Sequence, residues 1–187
     1  MLVHTSLPMT TRQAREWVRQ IEDGQCDLNP PYQRGTVWST DQRRGLMKSF
    51  LLGLPVPAVI LSNRGHFGWA DPDIPNPVMT GEGPMHAVID GKQRFETALA
   101  WHRGELAIPA EWLDPQFIAE GHTGDMVTRA DLTVPGQRLT DHRMIVQIAE
   151  AKVATVKDEA AIYLLINGAG TAQTGDDLAR AAAVANR

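Results

Sequence analysis

Two short runs of this chain hold residue types able to handle a phosphate. The first is Val88-Ile89-Asp90-Gly91-Lys92-Gln93-Arg94, where an acid, a glycine, an amide and two cations follow an apolar stretch. Ala87-Val88-Ile89 predicts a strand ending at Asp90-Gly91, and Phe95, Ala98, Leu99 and His102 then recur at helical spacing. A helix that starts directly after a glycine turn offers unpaired N–H groups and the positive end of its dipole to an anion. Lys92 and Arg94 would add charge beside that anion. Asp90 would hold a magnesium ion, which commonly takes one or two protein carboxylates plus phosphate oxygens. The same spacing has a structural reading, in which Asp90 caps the helix, Gln93 completes a variant capping box and both cations face water.

The second run is Pro31-Tyr32-Gln33-Arg34, followed by Trp38 and by Arg43-Arg44. Prolines stiffen the approach, Tyr32 offers a stacking face, and Arg34 carries a fork of donors suited to phosphate. The alternative makes Tyr32 and Trp38 core anchors and Arg34 half of a buried ion pair. For Trp38 anchoring is the preferred reading.

Several elements must position these runs. Ala14, Trp17, Val18 and Ile21 define a first helix, with Thr10 and Gln13 in capping-box spacing and Gly24 at its end. Asn29-Pro30-Pro31 is extended. Ser39 and Gln42 repeat the capping box before a helix that carries Leu46, Met47, Phe50 and Leu51 up to Gly53. Ala58-Val59-Ile60-Leu61 reads as a buried strand. A Gly/Pro/Asp/Asn-rich loop at about 63–85 follows, long enough to suggest a lid or binding arm, with Phe67 and Trp69 placed either to stack on bases or to pin it. Residues at about 104–144 yield only apolar islands. Met144 to Ile148 reads as a strand, and Thr155 with Asp158 opens a helix carrying Ile162, Leu165 and Ile166. Thr174 starts the last helix, with Leu178, Ala181, Ala182 and Ala185.

Composition narrows the classes. At 187 residues one domain spanning 1–187 is expected, and 43% hydrophobic with 21% charged residues is an ordinary globular balance. Cys26 is the only cysteine, which excludes an internal disulfide and a thiolate cluster; a small buried hydrophobe is its expected role. Met1-Leu2-Val3-His4-Thr5 has no export pattern and no run of ~18 apolar residues occurs, so a cytoplasmic location without membrane is expected. A net charge of −4 argues against nonspecific coating of nucleic acid. Residues 1–104 nevertheless hold 11 basic and 10 acidic side chains against 7 and 12 in 105–187, and Arg34, Arg43, Arg44 and Lys48 face Asp41 alone. No two of the six histidines stand three or four apart, which speaks against zinc.

Taken in order, Pro31-Tyr32-Gln33-Arg34, Trp38, the Leu52 to Pro57 stretch and Asp90-Gly91-Lys92-Gln93-Arg94 resemble the N-terminal family of GmrSD-type modification-dependent restriction proteins. That family shows a proline-aromatic-Gln-Arg entry, a helix ending in Gly-x-Pro-x-Pro, and an Asp-Gly-Gln-Gln-Arg turn. Ile166-Asn167-Gly168 with Thr171 and Thr174 resembles its late Asn-x-x-Gly segment, so the likeness runs from about residue 10 to 180. The turn is also similar to the phosphate-binding turns of the ParB/sulfiredoxin-like superfamily. The resemblance implies an α+β fold, a small mixed sheet surrounded by helices, and an NTP with Mg2+ as ligand. It implies Asp90, Gln93 and Gln33 as catalytic residues, Gly91, Lys92, Arg94, Arg34 and Tyr32 as nucleotide-binding residues, and Asp90 as the metal ligand. Family members work beside a separate HNH-type nuclease half, so a nuclease or other protein and DNA are the implied partners. This chain ends where that half would begin, and a stand-alone form is expected. Lys92 replaces the family's first Gln, and Phe95-Glu96-Thr97-Ala98 replaces Leu-Thr-Thr-Leu. Two rivals stand beside NTP binding: a nucleic-acid-binding or nicking module using the cations from Arg34 to Lys48, and a catalytically silent adaptor.

Overall fold

The computed structural model of the protein describes residues 7–33, 35, 38–168 and 175–185. Its centre is a five-stranded mixed sheet. The strands are β1 (Met9–Gln13), β2 (Cys26–Asp27), β3 (Val59–Asn63), β4 (His86–Asp90) and, late in the chain, β7 (Ile145–Ala151), in the order β1-β7-β3-β4-β2. β1 runs antiparallel to β7, β7 parallel to β3, β3 antiparallel to β4, and β4 parallel to β2. Seven helices pack around it among the described residues: α1 (Ala14–Glu22), α2 (Thr40–Leu52), the short α3 (Pro77–Thr80), α4 (Lys92–His102), α5 (Val134–Arg143), α6 (Val156–Gly168) and α7 (Gly175–Ala185). The architecture is α+β, as expected. None of the described helices is long and apolar enough to cross a membrane.

Side chains alternate across a strand, so each face of the sheet needs its own cover. Val88 points into a large core with Trp17, Met47, Phe50, Phe95 and Trp101, built by α1, α2 and α4. Its neighbour Ile89 points the other way, into a smaller core with Tyr32, Trp69, Ala160, Tyr163 and Val184, built mainly by α6 and α7. The end of β4 therefore lies at the seam of two cores, and α4 starts there.

Several local expectations hold. Ser39 and Gln42 form a reciprocal capping box at α2, whose Gly53 end is left-handed with φ +69°. Thr155 and Asp158 bond in the same way at the start of α6. Thr10 and Gln13 do not: Met9–Gln13 is strand, and α1 starts after Gln13 with no side-chain cap. The inward face of α6 also differs from the predicted one. Val156, Glu159, Ala160 and Tyr163 are buried, whereas Leu165 is 72% exposed. Leu165 belongs to the apolar spacing but falls on the outer side.

The loop after β3 is pinned rather than loose. Trp69 is buried with its Nε1 donating to Ile74 O at 2.9 Å, and Asp71 Oδ2 accepts from Val156 N at 2.8 Å, tying the loop to α6. Phe67, by contrast, is 92% exposed. The stretch 104–144 resolves into a two-strand hairpin of β5 (Ile108–Pro109) and β6 (Met126–Val127), single 3-10 turns, and α5. Asp114, Thr128 with Asp131, and Thr133 cap its short helical pieces.

Candidate functional site

Gly91 joins β4 to α4 with φ +94°, a conformation that costs any residue bearing a Cβ. A Cβ built there would lie 2.7 Å from Arg94 Nη1 and 3.1 Å from Val59 Cα. Backbone and space both require glycine. A helix's first N–H groups lack intrahelical partners, and no side chain caps them among the described residues. Asp90 is thus not the cap that its spacing allowed. Its Oδ2 accepts from Arg94 Nη1 at 3.3 Å, and the same nitrogen donates to Ala58 O at 3.3 Å. Both side chains stay partly open, Arg94 at 16% and Asp90 at 30%, and both line a cleft of about 180 Å3. Gln33, Trp38 and Gln93 line it as well, as do Tyr163 and Asn167 of α6.

The structure brings the two sequence runs together at this cleft. Gln33 Nε2 donates to Val88 O at 2.9 Å and to Ile89 O at 2.8 Å, pinning the entry segment to β4. Gln93 Oε1 accepts from Trp38 N at 3.3 Å, so Gln93 braces the loop before α2 and completes no capping box. Trp38 packs against the large core and also lines the cleft. Arg34, Thr171 and Thr174 lie outside the described residues.

Two sequence expectations are corrected. Tyr32 offers no stacking face, because it is 1% exposed and packs on Tyr163 with ring centroids 5.6 Å apart. It is a core anchor beneath the site. Lys92 lines the cleft but does not face water: its side chain is 7% exposed, and Nζ donates to Asn29 Oδ1 at 2.6 Å and lies 3.7 Å from Glu96 Oε1. A buried ammonium needs such partners. Glu96 also faces Arg43 at 3.8 Å, which fixes α4 against α2.

Beneath the cleft runs a buried network that no local pattern announced. Arg64, at the end of β3, is fully buried and grips Glu159 of α6 with two bonds of 2.9 and 2.7 Å. Asp27 Oδ2 stands 3.5 Å from the same guanidinium, and the Trp69 ring lies under it at 5.3 Å. Tyr32 donates to Glu159 Oε2 at 3.1 Å. Burial, joined by the negative charge of Glu159, pushes the Tyr32 hydroxyl well above its ordinary pKa. The phenol therefore stays a neutral donor. This network ties Tyr32, next to Gln33, to α6, which carries the cleft-lining Tyr163 and Asn167. Asn167 had a signal in the late Asn-Gly segment; Tyr163 and Glu159 had none.

The cations between Arg43 and Lys48 are engaged elsewhere. Arg43 faces Glu96, Arg44 bonds to Asp41 at 3.2 Å and to Ala107 O at 3.0 Å, and Lys48 sits over the Trp112 ring at 5.3 Å.

The model of the GmrSD restriction endonuclease N-terminal domain matches residues 15–158. The chain belongs to this family. No curated protein and no solved structure matches it. In this GmrSD N-terminal domain the matched span takes in Gln33, the Asp90 to Arg94 turn and Arg64. Glu159, Tyr163 and Asn167 fall just beyond it, so part of the cleft lining is supplied by the segment that follows the matched residues. Membership implies a role in restriction.

Proposed function

We propose that this domain binds a ribonucleoside triphosphate with magnesium, seats its phosphate end at the Asp90 to Arg94 turn, hydrolyses it slowly, and serves restriction through that nucleotide. The observation that carries the reading is the start of α4, with no capping side chain among the described residues, on a cleft that Arg94 lines. A whole drug-sized ligand fills roughly 300–1,000 Å3. A cleft of about 180 Å3 suits a phosphate group, with the sugar and base lying along its mouth.

The donor set fits magnesium rather than zinc. Asp90 is the one carboxylate on the cleft among the described residues, and no group of three metal-ligating side chains occurs among them. Magnesium takes few protein ligands and shares the phosphate oxygens. When bound it would neutralise charge on those oxygens. Arg94, drawn to Asp90 in the resting cleft, would turn its remaining donors to the phosphate.

A thermal-shift screen of the four ribonucleoside triphosphates, with and without magnesium, tests this. A ligand at ~100 times its dissociation constant adds about 2.7 kcal/mol of stability. Arg94→Ala should weaken the nucleotide at least about tenfold by calorimetry, roughly 1.4 kcal/mol. Equal binding by both forms would reject the site, and phosphate release over time measures turnover. The nucleic-acid alternative loses support from the engaged state of Arg43, Arg44 and Lys48. It predicts binding that falls steeply with salt and ignores nucleotide.

A further inference from the structure

The two glutamines on the cleft look alike in sequence and are opposite in polarity in the fold. Which end of an amide is which follows from its partners. Gln33 is bonded to two carbonyl oxygens, so the atom held against β4 must be its NH2, and both of its hydrogens are used. Its Oε1 is the end left for the cleft, and no described residue donates to it. Gln93 is bonded to a backbone N–H, so the atom held there must be its oxygen. The end it has left for the cleft is the NH2, a donor.

From this we infer that the cleft is divided into an anion wall and a cation wall. Gln93 and Arg94 donate to the phosphate, while the Gln33 carbonyl and the Asp90 carboxylate receive the hydrated magnesium ion that accompanies it. A carbonyl oxygen repels a phosphate oxygen, since neither carries a proton to share. It accepts readily from a metal-bound water or binds a hard cation directly. Asp90 supplies the charge on that wall, because only its Oδ2 is drawn to Arg94. Gln33 is therefore a selector for the metal complex of the nucleotide over the bare nucleotide. This rests on the nucleotide reading above and adds to it which wall meets which charge.

A matched pair of variants, Gln33→Met and Gln93→Met, tests the division. The dissociation constant for ATP is measured by calorimetry in excess magnesium and in chelator, for the unmodified chain and both variants. In the unmodified chain magnesium should tighten binding about tenfold. Gln33→Met should reduce that ratio below about twofold. Gln93→Met should weaken binding in both conditions and keep the ratio. Gln33→Lys supplies a second route if the methionine variant melts early, because an ammonium can still donate to Val88 O and Ile89 O while it removes the acceptor. It should also lose the magnesium gain. A ratio retained in the folded Gln33 variants, equal behaviour of both methionine variants, or no magnesium gain in the unmodified chain would each overturn the division while leaving nucleotide binding in place. No ATP binding in any condition would instead remove the reading on which it rests.

Discussion

Two buried polar networks brace this fold, and they differ in what they brace. The first joins Arg64, Glu159, Tyr32 and Asp27 between the sheet and α6. The Arg64 and Glu159 side chains are 1% and 0% exposed, and every strong bond in it runs between distant parts of the chain. The second gathers Arg15, His102 and Arg129 around Asp141, with distances of 3.6, 3.2 and 3.1 Å. Its carboxylate is buried, but its three partners are 44%, 13% and 24% exposed. The Arg64–Glu159 pair is shut off from water, whereas water reaches the partners of Asp141. Charge pairs cut off from water are costly to break, whereas pairs at the rim keep solvation as a substitute. The inner network also ties α6, which carries Tyr163 and Asn167 of the cleft, to the segment next to Gln33, while the outer one fastens the far end of α4 to α1 and α5.

The largest expected effect follows from breaking the inner network. Glu159→Ala leaves a buried guanidinium with Asp27 as its one carboxylate partner among the described residues and takes from Tyr32 the nearer of its two acceptors, leaving Val88 O at 3.5 Å. It should cost about 3–5 kcal/mol in denaturant unfolding, on the scale of other broken buried pairs. The double variant Arg64→Met with Glu159→Leu should recover much of that loss, because no charge is left stranded. If the single variant unfolds no more easily than an outer-network variant, the distinction between the two regions fails.

Asp141→Asn is the matching cut in the outer network. It should cost about 1–3 kcal/mol, the range for a few hydrogen bonds to charged groups. Its pH dependence sharpens the contrast. Burial tends to raise the Asp141 carboxyl, yet hydrogen bonds and charge from His102 and Arg129 more than offset it and hold it below the ordinary carboxylate value. The folded state thus releases this proton more readily than the unfolded chain. Its contribution is present above the unfolded carboxyl's pKa and is lost as pH falls through the folded one. Acid melts of Asp141→Asn should lack that share of the loss.

What the sequence made legible was local. Val88-Ile89-Asp90-Gly91 could be read as a strand meeting a helix because an apolar run, a glycine and a 3.6-residue period stand side by side, and the structure puts its cleft there. The Ser39/Gln42 and Thr155/Asp158 boxes were legible for the same reason. Thr10 and Gln13 have identical spacing, but pairing with β7 drew them into a strand, an outcome set by residues more than 130 positions away. β1 carries four exposed positions out of five, so it had no apolar alternation to betray it. Lys92 could be read as a solvated cation because its partner Asn29 lies 63 residues earlier. Arg64 and Glu159 are 95 residues apart, and nothing in either neighbourhood calls for a buried ion pair. Short-range chemistry was visible, and the bracing of the site was not.

The smallest expected effect belongs to His86, at the start of β4 and in neither network. Its ring meets Trp17 edge-on at 5.1 Å, and Nε2 lies 3.4 Å from Glu150 Oε1, the one charged group that faces it among the described residues. Asn63 already donates to that same oxygen at 2.7 Å. Burial lowers the His86 pKa, and the nearby Glu150 charge only partly restores it. Because the folded state binds this proton less readily than the unfolded chain, stability should fall as pH drops from the ordinary histidine range towards the folded value, and level off below it. Replacing the ring with His86→Gln should flatten that stretch of the stability curve while leaving the acid limb set by Asp141. A curve of unchanged slope between mildly acidic and neutral pH would mean that the imidazole reaches water in spite of its position under Trp17.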